Sequence, residues 1–192
     1  MIRTTISLST IALVAACASP NAPSISSADV GRAYAEADAI SRLPFTESID
    51  LPTGATTYNG QLGANVSGDI EGSLLGDMRM DVHFADDEIT GDVTNINLID
   101  TNGRPNQRLD GKLDITGLEE AGRLDGFASG KLEGVDQGLY VDTDVLLVLD
   151  GDVFNDRGKG DAVFGSATGD GIGQDANDWD IEIDGVFFGT TN

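Results

Sequence analysis

From Leu51 onward, apolar and polar residues alternate with a period of two. "DMRMDVHF" puts Met78, Met80, Val82 and Phe84 on one side and Asp77, Arg79, Asp81 and His83 on the other. "LDGKLDI" repeats the pattern with Leu109, Leu113 and Ile115 against Asp110, Lys112 and Asp114. "YVDTDVLLVLD" sets Val141, Val145, Leu147 and Leu149 against Asp142 and Asp144. "WDIEIDGVF" sets Trp179, Ile181, Ile183 and Phe187 against Asp180, Glu182 and Asp184. Such alternation predicts strands with one buried and one wet face. With the weaker runs included, about eight strands are expected: Ala55–Ala64, Leu75–Phe84, Glu88–Leu98, Leu109–Gly117, Arg123–Glu133, Leu139–Phe154, Gly160–Gly169 and Asn177–Gly189. "ADDE" reads as a tight hairpin, "NDRGKG" as a longer one and "IDTNGRPNQR" as a wide loop. The apolar parity slips near Thr94–Ile96, which predicts a bulge or a change of face.

No helix-length segment separates these strands, so parallel crossovers are excluded and antiparallel neighbours remain. An all-β fold follows, an eight-stranded antiparallel up-and-down β-barrel, with a two-sheet sandwich as its rival. Gly91, Gly111, Gly126 and Gly130 suit the bends of a small barrel. Ahead of the strands the period is helical. Val30, Ala33, Tyr34, Ala37, Ile40 and Leu43 predict one short helix, capped by Ser26 or Ser27 and stopped by Pro44.

The first residues have another character. Arg3 precedes an apolar run, Ile6 to Val14, and two alanines lead into Cys17, the only cysteine. A charged start, a short apolar stretch and small residues make a secretory signal peptide, and the run is too short for a membrane-spanning helix, which needs about 20 apolar residues. "VAAC" resembles the lipobox of bacterial lipoprotein precursors, a family cleaved before the cysteine and acylated on it. That resemblance implies lipidation at Cys17, and Ala18 in place of an aspartate implies the outer membrane. The expected organisation is a signal peptide over 1–16, a lipidated tether and short helix over 17–50, and the barrel over 51–192. The small, proline-bearing "ASPNAPSISS" reads as a flexible tether.

The 192-residue chain carries a net charge of −22, which becomes −23 once residues 1–16, with Arg3 among them, are removed. Such a surface repels phosphate backbones, so no nucleic acid partner is expected. The acidic rows also exclude a membrane-spanning barrel. Asp77/Asp81, Asp110/Asp114, Asp142/Asp144 and Asp180/Asp184 would crowd its lumen with too few cations to pair them. Aromatic residues, at 6%, are too sparse for two girdles.

Three stretches resemble the β-barrel domain of transferrin-binding-protein-B-like surface lipoproteins, a family that includes factor H-binding protein. "TGATTYNGQLGA" is similar to the family's first strand, with Tyr58 and Gly60 in its "YxG" step. "GDMRMDVHFADDEITGDVTNINL" is similar to its acidic hairpin, with His83 where the family has Asp. "IDGVFFGTTN" is similar to its closing strand. The resemblance implies a filled eight-stranded barrel, held on the outer membrane by lipid, that binds proteins through its loops. Transferrin binding itself does not carry over, because the chain has one barrel and no room for the family's handle domain.

Catalytic chemistry is not indicated. His83 is the only histidine and sits on the wet face without a nucleophile motif, and no G-x-S-x-G, H-E-x-x-H or P-loop pattern is present. The sequence calls for no cofactor. "GDGIGQDANDWD" offers oxygen ligands for calcium in Asp170, Asp175, Asn177 and Asp178, although its spacing departs from the EF-hand. The "NVS" sequon at Asn65 has little meaning in a bacterial envelope. The leading expectation is a non-enzymatic, lipid-anchored binding module. A lipocalin-like carrier of a small apolar ligand and a structural envelope component are the alternatives.

Overall fold

The alternating segments form β1 (Ala55–Gly68), β2 (Gly72–His83), β3 (Glu88–Ile99), β4 (Pro105–Arg108), β5 (Asp110–Gly111), β6 (Leu113–Glu120), β7 (Arg123–Asp136), β8 (Leu139–Phe154), β9 (Ala162–Ile172) and β10 (Ile181–Thr190). The structure, a computed structural model, describes residues 19–156 and 160–191. The leader, Cys17 and part of the "NDRGKG" hairpin lie outside the described residues. Every strand pairing is antiparallel, in the order β2–β1–β10–β9–β8–β7–β6–β3, and β3 pairs again with β2. β4, β5 and β6 follow one another as one broken stave. The sheet therefore closes as an eight-stave up-and-down barrel and not as a sandwich. Closure pairs the sheet edges except beside β4, where the Gln107 side chain bonds the Val135 backbone in place of a ladder.

The inward rows fill the lumen. Met78, Met80, Val82, Ile115, Leu147, Ile183 and Phe187 are all buried in one cluster. Tyr58 is fully buried and its Oη donates to the carbonyl of Gly160 at 2.6 Å. Burial, with the charges of Asp161 and Glu119 behind it, pushes this phenol far above its ordinary pKa. Two residues after Tyr58, a Cβ at Gly60 would collide with the carbonyl of Phe188 on β10. The "YxG" step thus joins a core anchor to a position where two strands approach too closely for a side chain.

The parity slip is a bulge. Leu75 pairs with Asn97 but Asp77 pairs with Thr94, so Gly76 faces the two residues Asn95 and Ile96. Asn95 takes a left-handed φ of 51°, a conformation asparagine tolerates. The extra residue turns Ile96 and Leu98 into the lumen and aims Asn97 and Ile99 outward.

Two sequence expectations change. Half of the wide loop 99–108 is strand: Gln107 pairs with Leu98 and Arg108 with Asn97. What remains is a turn in which Asp100 Oδ1 accepts from the amides of Asn102 and Arg104, each at 2.9 Å. The segment expected as a flexible tether lies against the barrel where it is described. Asn21 bridges to Arg108, its Nδ2 donates to Asp110 at 2.8 Å, and the amide of Ser24 donates to Asn97 Oδ1 at 2.9 Å. Asn97, which the bulge turned outward, is fully buried by this contact.

The helix α1 (Ser27–Ile40) follows, with Ser26 as its N-cap in a capping box closed by Asp29. Ser26 N donates to Asp29 Oδ2 at 2.7 Å. Beyond Pro44 the chain runs along β8, where Phe45 stacks on Phe154 with centroids 4.8 Å apart and the Thr46 amide donates to the Val153 carbonyl. Leu51 then packs against the core.

Candidate functional site

Among the described residues, inward side chains take up the lumen. The void lined by Gly76, Val93, Leu132 and Leu147 measures about 10 Å³, no more than one water needs. The alternation predicts an outer wall that is uniformly wet. It is not. Two apolar stripes cross it, and the strand register fixes where they run.

The first stripe comprises Ile99 on β3, Leu75 on β2, Val186 and Phe188 on β10, Ala162 and Phe164 on β9, and Phe154 on β8. α1 lies across it and buries Val30, Ala33 and Ile40 against it. On β1 the position between Leu75 and Val186 is Gly63. A Cβ there would meet Leu75 Cδ1 at 3.5 Å and the Leu74 carbonyl oxygen at 4.0 Å, both ordinary contacts. The missing side chain leaves a groove of about 230 Å³ between helix and wall, lined by Val30, Ala33, Ala37, Leu75, Val186 and Phe188, with Asn65, Ser73 and Asp184 among its polar residues.

Among the described residues nothing covers the second stripe. Leu118, Phe127, Leu146 and Val148 are each about half exposed or more. They are neighbours by register: Phe127 pairs with Val148 across β7 and β8, and Leu146 is two residues before Val148 on the same face. Phe127 also pairs with Thr116, two residues before Leu118 on β6. Acids surround them. Asp125 and Asp150 occupy the row of Leu118, and Asp114 and Asp170 occupy the row of Leu146. The cations at this rim are engaged: Lys112 Nζ lies 2.5 Å from Asp114, and Arg123 lies 3.0 Å from Asp125 and 3.2 Å from Asp150. Desolvation raises the pKa of Asp152 above the ordinary range, opposed by Arg123 and reinforced by Asp150 and Asp125.

The calcium candidates separate. Asp170 stands on the outer wall of β9, opposite Glu182 of β10. Asp178 lies in the turn after β9, where Oδ1 accepts from the Asp142 amide at 3.1 Å and Oδ2 from the Asp175 amide at 2.8 Å. These donors hold its carboxyl below the usual range. Asp175 and Asn177 share the turn with it. Among the described residues no group of three His, Cys, Asp or Glu side chains could hold a metal ion. The acids of this turn serve its own backbone instead: Asp180 Oδ1 accepts from Gly173 N at 3.0 Å. His83 ends β2, paired with Ala55 and Glu88.

The stripes are what the period-two reading passed over. Their signal is in the chain as doublets, Leu74–Leu75, Leu98–Ile99, Val153–Phe154 and Phe187–Phe188, which need cover on both faces of a strand. "VLLVL" from Val145 to Leu149 carries the bare stripe in the same way. Comparison of the chain with protein-family models, with curated proteins and with solved structures finds no match. The described residues present a closed antiparallel barrel, a helix bound to its wall and an exposed apolar stripe on β6, β7 and β8.

Proposed function

We propose that this chain is a non-enzymatic lipoprotein of the bacterial outer membrane, similar to the transferrin-binding-protein-B-like surface lipoproteins, whose barrel binds another protein. The observation that carries the reading is the bare apolar stripe on an otherwise acidic wall, since contiguous exposed apolar residues rimmed by polar ones mark interaction sites. In this reading Cys17 carries the lipid. Asn21, which is bridged to Arg108, lies four positions after Cys17, and four residues of chain span at most roughly 14 Å. The barrel then sits close to the membrane surface instead of swinging on a long leash.

Cross-linking in intact cells, with wild type compared to a Phe127→Ser/Val148→Ser variant, tests the binding reading. A defined partner recovered with the wild type supports it, and recovery of none from either protein refutes it. Cys17→Ser tests the anchor, and a variant that stays in the membrane fraction with unchanged mobility removes the lipidation. The carrier reading keeps one favourable observation, the groove of about 230 Å³ beneath α1. An apolar ligand would bind there, outside the barrel. Saturable binding of an apolar fluorescent probe, lost on Gly63→Leu, would place the carrier reading first.

A further inference from the structure

We infer that the bare stripe is a seat for an amphipathic helix with basic flanks, supplied by the protein partner whose existence the preceding section proposes. The chain itself shows how this wall takes a helix. Going round the barrel from β3 through β2, β1, β10 and β9 to β8, the covered stripe steps from the row of Ile99 to that of Leu75 and Val186, then to those of Phe188 and Ala162. Continuing in the same sense from β8 to β7 and β6, the bare stripe steps from the row of Leu146 to that of Val148 and Phe127, then to that of Leu118. Both stripes advance toward the end of the barrel that holds the β2–β3 and β6–β7 turns. Their slant has the same hand, and in the covered case that slant is the track of α1.

Charge identifies the flanks. α1 bears Asp29, Glu36 and Asp38 with the single cation Arg32, and its stripe is flanked by Gln61, Asn65 and Ser73 together with Asp77 and Asp184. The bare stripe has Asp125 and Asp150 along one side and Asp114, Asp170 and Asp144 along the other. A helix laid on Leu118, Phe127, Val148 and Leu146 brings both flanks over carboxylates, so lysine or arginine there is favoured and glutamate repelled. A second copy of this chain is disfavoured by the same rule, since each copy carries a net charge of −22. Threonine and serine at 116, 129 and 168 border the apolar residues and let a helix approach closely.

The test uses the mature protein and a synthetic amphipathic helical peptide of leucine and lysine, with a leucine–glutamate counterpart, at physiological ionic strength. The expected result is saturable one-to-one binding of the lysine peptide and none of the glutamate peptide. Phe127→Ser/Val148→Ser should weaken binding about tenfold or more. Phe127→Leu/Val148→Ile should restore it, and Tyr140→Ser, an exposed aromatic elsewhere, should leave it unchanged. Thermal melts of the double variant confirm that the barrel is intact. Equal binding by wild type and the serine variant would reduce the effect to bulk charge and overturn the proposal. Uptake onto neutral phosphatidylcholine vesicles that depends on Phe127 and Val148 would assign the stripe to a membrane instead. Dimers abolished by the serine variant would assign it to a second copy. A cellular partner captured equally by wild type and serine variant would preserve the binding reading while removing the stripe as its site.

Discussion

Phe188 and Phe127 both project from the outside of one barrel, yet Phe188 is 2% exposed and Phe127 is 52% exposed. The difference owes nothing to strand periodicity, which places both residues outward. It comes from what the chain does before the first strand. The segment from Asn21 to Thr46 bridges to Arg108, runs as α1 across the first stripe and pairs at Phe45 with Phe154. One apolar stripe thereby becomes a second hydrophobic cluster, and the other stays open to solvent. A closed barrel needs only its lumen to fold. An apolar outer wall is an addition, and on one side the chain supplies its own cover.

The largest test of this contrast is truncation of the two phenylalanines. Phe188→Ala removes a buried ring from between helix and wall and should cost about 3–5 kcal/mol. Phe127→Ala should change stability by less than about 0.5 kcal/mol. Denaturant melts of the two variants measure it. Similar losses would mean that the bare stripe is covered in solution as well.

Breaking the cover comes next. Ala33 is buried against the wall in the interior of α1. Ala33→Pro removes a backbone donor there, clashes with the preceding turn and should cost about 3 kcal/mol. The barrel should stay closed, because its ladders do not depend on the helix. Binding of an apolar dye should rise as Leu75 and Phe188 become accessible. An unchanged dye signal would show that α1 contributes little to covering its stripe.

The cap at the start of the helix gives a smaller effect. Ser26→Ala deletes the side-chain acceptor for the Asp29 amide and frees the Asp29 carboxylate of one partner. A loss of about 1 kcal/mol is expected. Hydrogen exchange should show it confined to residues 27–40 and absent from β7 and β8. Faster exchange in the β7–β8 wall would mean that the two regions are coupled.

The barrel was legible from the sequence because its determinant is local. Met78, Met80 and Val82 alternate with charges, and each strand pairs with its chain neighbour, so parity and turns suffice. The helix was legible for the same reason, from Val30, Ala33 and Ile40 and the capping serine. The strand at Pro105–Arg108 was missed because its apolar content is nil; pairing with the bulged end of β3 holds it. The docked tether was missed because its partners, Asn97 and Asp110, lie far along the chain and are polar. The stripes were missed because a search for alternation discards the second member of each apolar doublet. For the acidic turn at 173–180, sequence shows acids near one another but not that Asp178 is already bonded to two backbone amides.

The last and smallest effect separates the regions by the sign of their pH dependence. Asp29 belongs to the cover, and the hydrogen bonds from Ser26, with Arg32 adding a smaller pull, hold its carboxyl below the ordinary range. Its folded pKa lies below the unfolded value of about 3.9, so its contribution is complete above that value and is lost as pH falls through the folded pKa. Asp152, beside Arg123 near the bare wall, is shifted the other way by desolvation. Its folded pKa lies above the unfolded one, so the folded state binds the proton more tightly. Its relative contribution is present below the unfolded pKa and lost as pH rises through the folded pKa. Asp29→Asn should therefore destabilise at neutral pH, with the difference from wild type closing below about pH 4. Asp152→Asn should stabilise slightly at neutral pH, and its difference should also close in acid. Chemical melts at pH 7, 5 and 3 of both variants give the two signs. A destabilising Asp152→Asn at pH 7 would mean that attraction to Arg123 outweighs desolvation there. The acidic rim would then already be satisfied, with less to offer a basic partner.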